Sequence, residues 1–157
     1  MIDAKRRILL KGSLAAGAVG VAVGAGLLAP RAVLAAWNEA AFSATDMKAG
    51  LKALIGVEAG EASSDITIKA PDIAENGAVV PVTVETTTPG VKSITIIAEG
   101  NQTPLIASFN LGEAAVPNVS TRIKMGKTAN VQAVVQTADK VFSAVKEVKV
   151  TIGGCGG

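Results

Sequence analysis

The chain's one cysteine stands third from its end, in Gly153-Gly154-Cys155-Gly156-Gly157. A thiolate attacks electrophilic sulfur and is the species that exchanges disulfides, so a free cysteine can hold a sulfur group covalently. A cysteine used for packing sits among apolar neighbours. Cys155 has none beside it, because glycine lacks a Cβ, and a Gly-Gly pair samples both signs of φ and makes a loose linker. The pattern reads as an exposed thiol on a short flexible arm. Three residues beyond Ile152, at roughly 3.4 Å each, give a reach on the order of 10 Å. That suits a thiol entering another protein's pocket.

Composition removes most other chemistry. The chain has no histidine and no tyrosine. The commonest general base and metal ligand are therefore missing, as is any Ser-His or Cys-His pair. No haem-attachment motif, phosphate loop, dinucleotide fingerprint or zinc-ligand cluster occurs, so no cofactor and no catalytic or metal site of its own is expected. A single cysteine excludes an internal disulfide framework and leaves either pairing between chains or a working free thiol.

Lys5-Arg6-Arg7 and Lys11 precede an apolar Gly/Ala-rich run, then Pro30-Arg31 and the small-residue site Val33-Leu34-Ala35-Ala36. This is the order of a secretory signal, and the paired arginines resemble the twin-arginine type. Residues 1–36 are expected to be cleaved, which leaves a protein in the oxidising periplasm and off the membrane. Five of the 15 cationic residues and one of the 13 anionic residues precede residue 36, leaving 10 against 12. A weakly acidic chain with only Trp37, Phe42, Phe109 and Phe142 as aromatics is no nucleic-acid binder.

The elements that must carry the arm follow. Ser43-Ala44-Thr45-Asp46 starts a short amphipathic helix over about 43–55, with Met47, Leu51, Leu54 and Ile55 at helical spacing and Gly56 or Gly60 as the stop. This helix belongs to an N-terminal helical segment, 37–60. From Ile66 to Ile152 the chain alternates in Val-, Ile- and Thr-rich runs, separated by turn signals such as Asn76-Gly77, Pro89-Gly90 and Asp139-Lys140. Six or seven short strands with no long helix between them predict an all-β fold, an immunoglobulin-like antiparallel β-sandwich over 61–152. Pro81 lies inside one run and cannot donate to a ladder, so that strand is expected at an edge or bulged. The last strand hands directly to the arm, 153–157. Asp72, Glu75 and Arg122 read as turn and surface charges and not as site residues.

The run Val148 to Gly157 closely resembles the C-terminal signature of the SoxY family, the sulfur carriers of thiosulfate-oxidising bacteria. The segment Pro71 to Val82, Ser120-Thr121-Arg122-Ile123 and the twin-arginine leader resemble it too. One stretch departs: Gly100-Asn101-Gln102-Thr103-Pro104 is longer than the Asn-Pro turn the resemblance implies.

The resemblance implies that Cys155 carries the substrate, first as an S-thiosulfonate conjugate, on an arm of Gly153, Gly154, Gly156 and Gly157. It implies a SoxZ-like heterodimer partner. It further implies transient contact with a cytochrome-type Sox complex, a manganese-dependent sulfate-releasing hydrolase and a sulfane dehydrogenase. The chain would be a carrier and not an enzyme. Two other readings remain open on the residues alone. One is a structural or adhesive sandwich joined through a terminal interchain disulfide. The other is a diglycine end activated as a thiocarboxylate, against which the export signal counts.

Overall fold

The computed structural model describes residues 38–151. The signal segment, Trp37, Ile152 and the whole cysteine arm lie outside the described residues. Two short helices come first, α1 (Glu39–Phe42) and α2 (Met47–Ile55). Nine strands follow: β1 (Glu61–Ala62), β2 (Ile66–Lys69), β3 (Ile73–Ala74), β4 (Val80–Thr86), β5 (Ser93–Ala98), β6 (Leu105–Asn110), β7 (Asn118–Ile123), β8 (Ala129–Gln136) and β9 (Val141–Val150). They form a six-stranded sheet, β1-β9-β8-β5-β6 with β3 also on β9, and a three-stranded sheet, β2-β4-β7.

Alternation in the strands builds the core. Val80, Val82 and Val84 of β4 face Ile94 and Ile96 of β5, Val131, Ala133 and Val135 of β8, and Val148 of β9, all fully buried between the two sheets. Each valine or isoleucine among them contributes about 1.5–3 kcal/mol relative to exposure. The opposite face of the large sheet offers Ile97 and Val134, which pack with Leu105 under Ala41 and Leu51 of the helices. That cover is why all six residues of β5 are buried.

The sandwich is the fold expected from the strand pattern, with three differences. First, the helix begins later than Ser43. Asp46 is the N-cap, accepting from the Ala49 amide at 2.8 Å, while Ser43 closes α1 by donating from Oγ to the Glu39 carbonyl at 2.6 Å. The oxygen read as the third helical position is itself the cap. Gly56 ends the helix in the left-handed conformation at φ 80°, as expected of a glycine there.

Second, β1 and β3 both run parallel to β9, so the sandwich is not wholly antiparallel. At two residues each they are too short to show any period.

Third, Pro81 sits in the middle strand of the small sheet and not in an edge strand. The ladder explains how it is tolerated. β2 reaches only to Lys69, opposite Thr83, so β4 has no neighbour on that side at Pro81. Its other side pairs with β7, Pro81 opposite Arg122. The proline occupies a local edge within a central strand.

Among the described residues no helix is long and apolar enough to cross a membrane.

Gly77 is a place where the fold needs glycine. A Cβ there would press into the backbone oxygen of Met125 and stand 2.8 Å from Cγ1 of Val150. Gly77→Ala is expected to destabilise by about 1–3 kcal/mol, the usual cost of overpacking. Gly112→Ala, with nothing within 4 Å of its new Cβ, should leave stability within about 0.5 kcal/mol of the parent. Urea denaturation of both variants checks the contrast.

Candidate functional site

The described part of the site is the root of the arm. β9 is the longest strand, ten residues, and antiparallel pairing with β8 runs along it from Val141–Gln136 to Val148–Ala129. Beyond that ladder, Thr128 continues the hold. Its hydroxyl accepts from the Val150 amide at 2.9 Å and donates to the Val150 carbonyl at 3.4 Å.

The other edge of β9 is held by a strap, residues 70–77. Ile73 and Ala74 pair with Lys149 and Val150. The Lys149 amide donates to the Asp72 carbonyl at 3.0 Å, and the Thr151 amide donates to the Ala74 carbonyl at 3.1 Å. Lys146, on the inward face of β9 and half-buried, sends Nζ to the Ala70 carbonyl at 2.7 Å and to Asp72 Oδ1 at 3.0 Å. Asn76 turns the strap by accepting the Ala78 amide at 2.9 Å, and Gly77 accepts the Met125 amide at 2.7 Å. The Gly100–Pro104 loop is fastened nearby. Asn101 donates from Nδ2 to the Lys124 carbonyl at 2.7 Å and accepts the Gly126 amide at 3.0 Å.

The described backbone is therefore held through Thr151, two residues before Gly153. Cys155 and Gly153, Gly154, Gly156 and Gly157 lie beyond it and outside the described residues. Of the residues read as plain surface charges, Asp72 is ion-paired as above. Glu75 is exposed, and Arg122 is exposed on β7 beside a shallow cleft of about 410 Å³ with Pro81, Ser120 and Thr121. Among the described residues no group of carboxylates, histidines or cysteines could hold a metal ion.

Sequence reading missed the strap. Lys146 and Asp72 are 74 positions apart, and nothing local marks them as partners. The one available signal is Asn76-Gly77, which announces a turn but not the strand it rests on.

A two-sheet sandwich whose longest strand is pinned on both edges, followed in the sequence by a glycine-flanked cysteine, defines a class: a β-sandwich domain with a cysteine beyond its last strand. The comparisons give the family. The model of sulfur oxidation protein SoxY matches residues 51–155, so the match runs to the cysteine itself. The chain belongs to the SoxY family. The sulfur carrier protein SoxY from Chlorobium limicola f thiosulfatophilum is similar at 46% identity and TM-score 0.62, over 73% of this chain and 99% of that one. Two variants of the superoxide reductase (neelaredoxin) from Ignicoccus hospitalis share the fold alone. Their TM-scores are 0.50, at 19% identity over 60% of this chain and 84% of theirs, and at 18% over 68% and 90%. No curated protein sequence matches the chain. As a SoxY-family member the protein has a carrier role in sulfur oxidation.

Thr128→Val removes both hydroxyl contacts to Val150. The site is exposed, so global stability should change by less than about 1 kcal/mol. Amide hydrogen exchange at Val150 and Thr151, followed by NMR, should accelerate, while exchange at Val134 in the centre of β8 stays at the parent rate.

Proposed function

We propose that this protein is a periplasmic carrier that holds thiosulfate-derived sulfur covalently on Cys155 and presents it to separate enzymes. The observation that carries this is the extent of the family match, which ends on residue 155. The pinned root of the arm supports it, because a rigid handle fixes where a short tether begins.

The chemistry balances as follows. The Cys155 thiol and the outer sulfur of thiosulfate form an S–S bond, giving Cys155–S–S–SO3⁻. One proton is released, and two electrons pass to a cytochrome-type oxidant. Water then attacks the sulfonate sulfur and breaks its bond to the sulfane sulfur, the former outer sulfur of thiosulfate. Sulfate and two protons leave, and a persulfide anion stays on Cys155. A dehydrogenase of the same system then oxidises the remaining sulfane sulfur to a sulfonate with three waters, releasing six protons and passing six electrons to its acceptor, and a second hydrolysis releases sulfate and returns the free thiol. The chain's own part is to supply the nucleophile and to let it travel. No cofactor is assigned to it.

The twin-arginine leader supports export in the folded state. That route would carry a SoxZ-like partner lacking its own leader as part of a heterodimer.

Intact-mass measurement of the native protein, with and without reductant, tests the carrier reading. A reductant-labile gain equal to S2O3, or to added sulfur atoms, is expected on Cys155. A mass corresponding only to a disulfide-linked dimer would favour the structural alternative. Cys155→Ser should abolish thiosulfate oxidation in a reconstituted system. Gly154→Val, which restricts φ and widens the tip, should slow turnover with every enzyme while the urea midpoint stays at the parent value. Normal turnover in that variant would refute the idea that the arm threads a narrow channel.

A further inference from the structure

The strand edges of the two sheets are not equally guarded. An unpaired edge offers its N–H and C=O groups to another chain unless it is short, bulged or covered. β1 and β3 have two residues each and β2 has four. β6 carries a bulge, since its register against β5 slips between Ile96 and Ile97. β7 has six residues, no proline and an unbroken register against β4, with no strand on its other side.

The ladder to β4 fixes which groups of β7 are open. The Thr86 amide donates to the Pro117 carbonyl, so the pairs that exchange backbone bonds include Val84 with Val119 and Val82 with Thr121. Ser120 and Arg122 therefore turn their N–H and C=O groups away from the sheet. Among the described residues neither has a backbone partner there. One bond closes this window at each end. The Asn118 amide turns back to the Val116 carbonyl at 2.8 Å, and the Lys124 carbonyl accepts from Asn101 Nδ2 at 2.7 Å.

We infer that a second copy of this chain pairs along this edge, β7 antiparallel to β7 about a twofold axis at Thr121. In that register Ser120 of one copy lies opposite Arg122 of the other. Both such pairs exchange backbone bonds in each direction, and the open groups of the window are all satisfied. The next pair outward is Asn118 with Lys124. One of its bonds would run from the Asn118 amide to the Lys124 carbonyl, and these are the two groups already occupied within each copy. Nothing is wasted. A shift of two residues either way would set an occupied group against an open one.

Charge agrees with the antiparallel direction. Arg122 and Lys124 stand at one end of β7, exposed and outside the described salt bridges. Exposed Glu113 precedes the other end, where Glu85 pairs with Asn118. The twofold brings unlike ends together. Lys124 comes to lie beside Asn118 of the other copy, whose Nδ2 already holds Glu85 at 3.1 Å. Apolar surface is available on the same side. β2 lies against β9, so β7 and β6 bound one flank of the sandwich, where half-buried Ile106, Phe109 and Leu111 pack on the core.

The two arm roots are carried to opposite ends of the pair. Ile123 is at the end of β7 where Met125 and Val150 both meet Gly77. The contact therefore uses no disulfide and does not depend on the chemistry of Cys155.

Sedimentation equilibrium of the full chain in reductant tests the inference. A dimer is expected, and Cys155→Ser should show the parent dissociation constant. Ser120→Pro removes an outward amide without touching the ladder to β4, a change an edge strand tolerates. Its bond occurs twice across the axis, so the dissociation constant should rise about tenfold or more. Lys124→Glu, at an exposed position, should also weaken the dimer, and its difference from the parent should shrink in high salt. In the parent, amide exchange at Ser120 and Arg122 should slow as protein concentration rises, while Glu113 keeps its rate. A chain that is monomeric at every concentration would overturn the inference, as would a dimer lost in reductant or in Cys155→Ser. So would a parent dissociation constant retained in both Ser120→Pro and Lys124→Glu. A different polypeptide that co-purifies and protects the Ser120 and Arg122 amides would overturn it too, since the edge would then belong to that polypeptide.

Discussion

Everything in this molecule depends on β9 being held along both of its edges to its very end. A terminal strand paired on one side frays, because its last residues have few bonds to lose. Here β8 and Thr128 hold one edge, and β1 and β3 hold the other. The result is a strand held through its last described residue, just before the glycine-rich sequence of the tail. A short tether is useful only if its base does not wander, since uncertainty at the base adds directly to uncertainty at the tip.

The two halves of the design place opposite demands on sequence. The sandwich needs β-branched side chains that alternate in and out, and Val80, Val82 and Val84 supply them in one run. The tail needs no side chain except the thiol. A strand-forming sequence carried through to residue 157 would offer the thiol inside a stiff, bulky peptide, and a glycine tail without the pinned root would offer it from no fixed place. The family match and the geometry meet at this junction.

Legibility in the sequence followed how local each feature is. The expectation for the thiol came from its immediate neighbours, since absence of side chains is a property of the sequence itself, and Cys155 lies outside the described residues. The sheets could be read from alternation, and the helix stop was narrowed to Gly56 or Gly60, of which the fold uses Gly56. What could not be read were features defined by distant pairing. β3 becomes a strand only because Lys149 and Val150 lie beside it, and Lys146 becomes half-buried only because Ala70 offers a carbonyl. Pro81 misled for a related reason. The rule that proline avoids central strands concerns whether a neighbour is present at that one position, and the length of β2 decides that. Ser43 and Asp46 are both good caps, and local sequence does not say which of two adjacent short helices each will serve.

The direction in which β9 leaves the sheet has a mechanical consequence. On the carrier reading proposed above, an enzyme that gripped the tail and drew it inward would pull along the strand axis. The ladder bonds to β8 lie across that axis, so they are loaded in shear and share the force instead of opening one after another like a zipper. The short parallel strands on the opposite edge balance the load and keep the strand from tilting out of the sheet. Under such a pull the last strand would resist being peeled away.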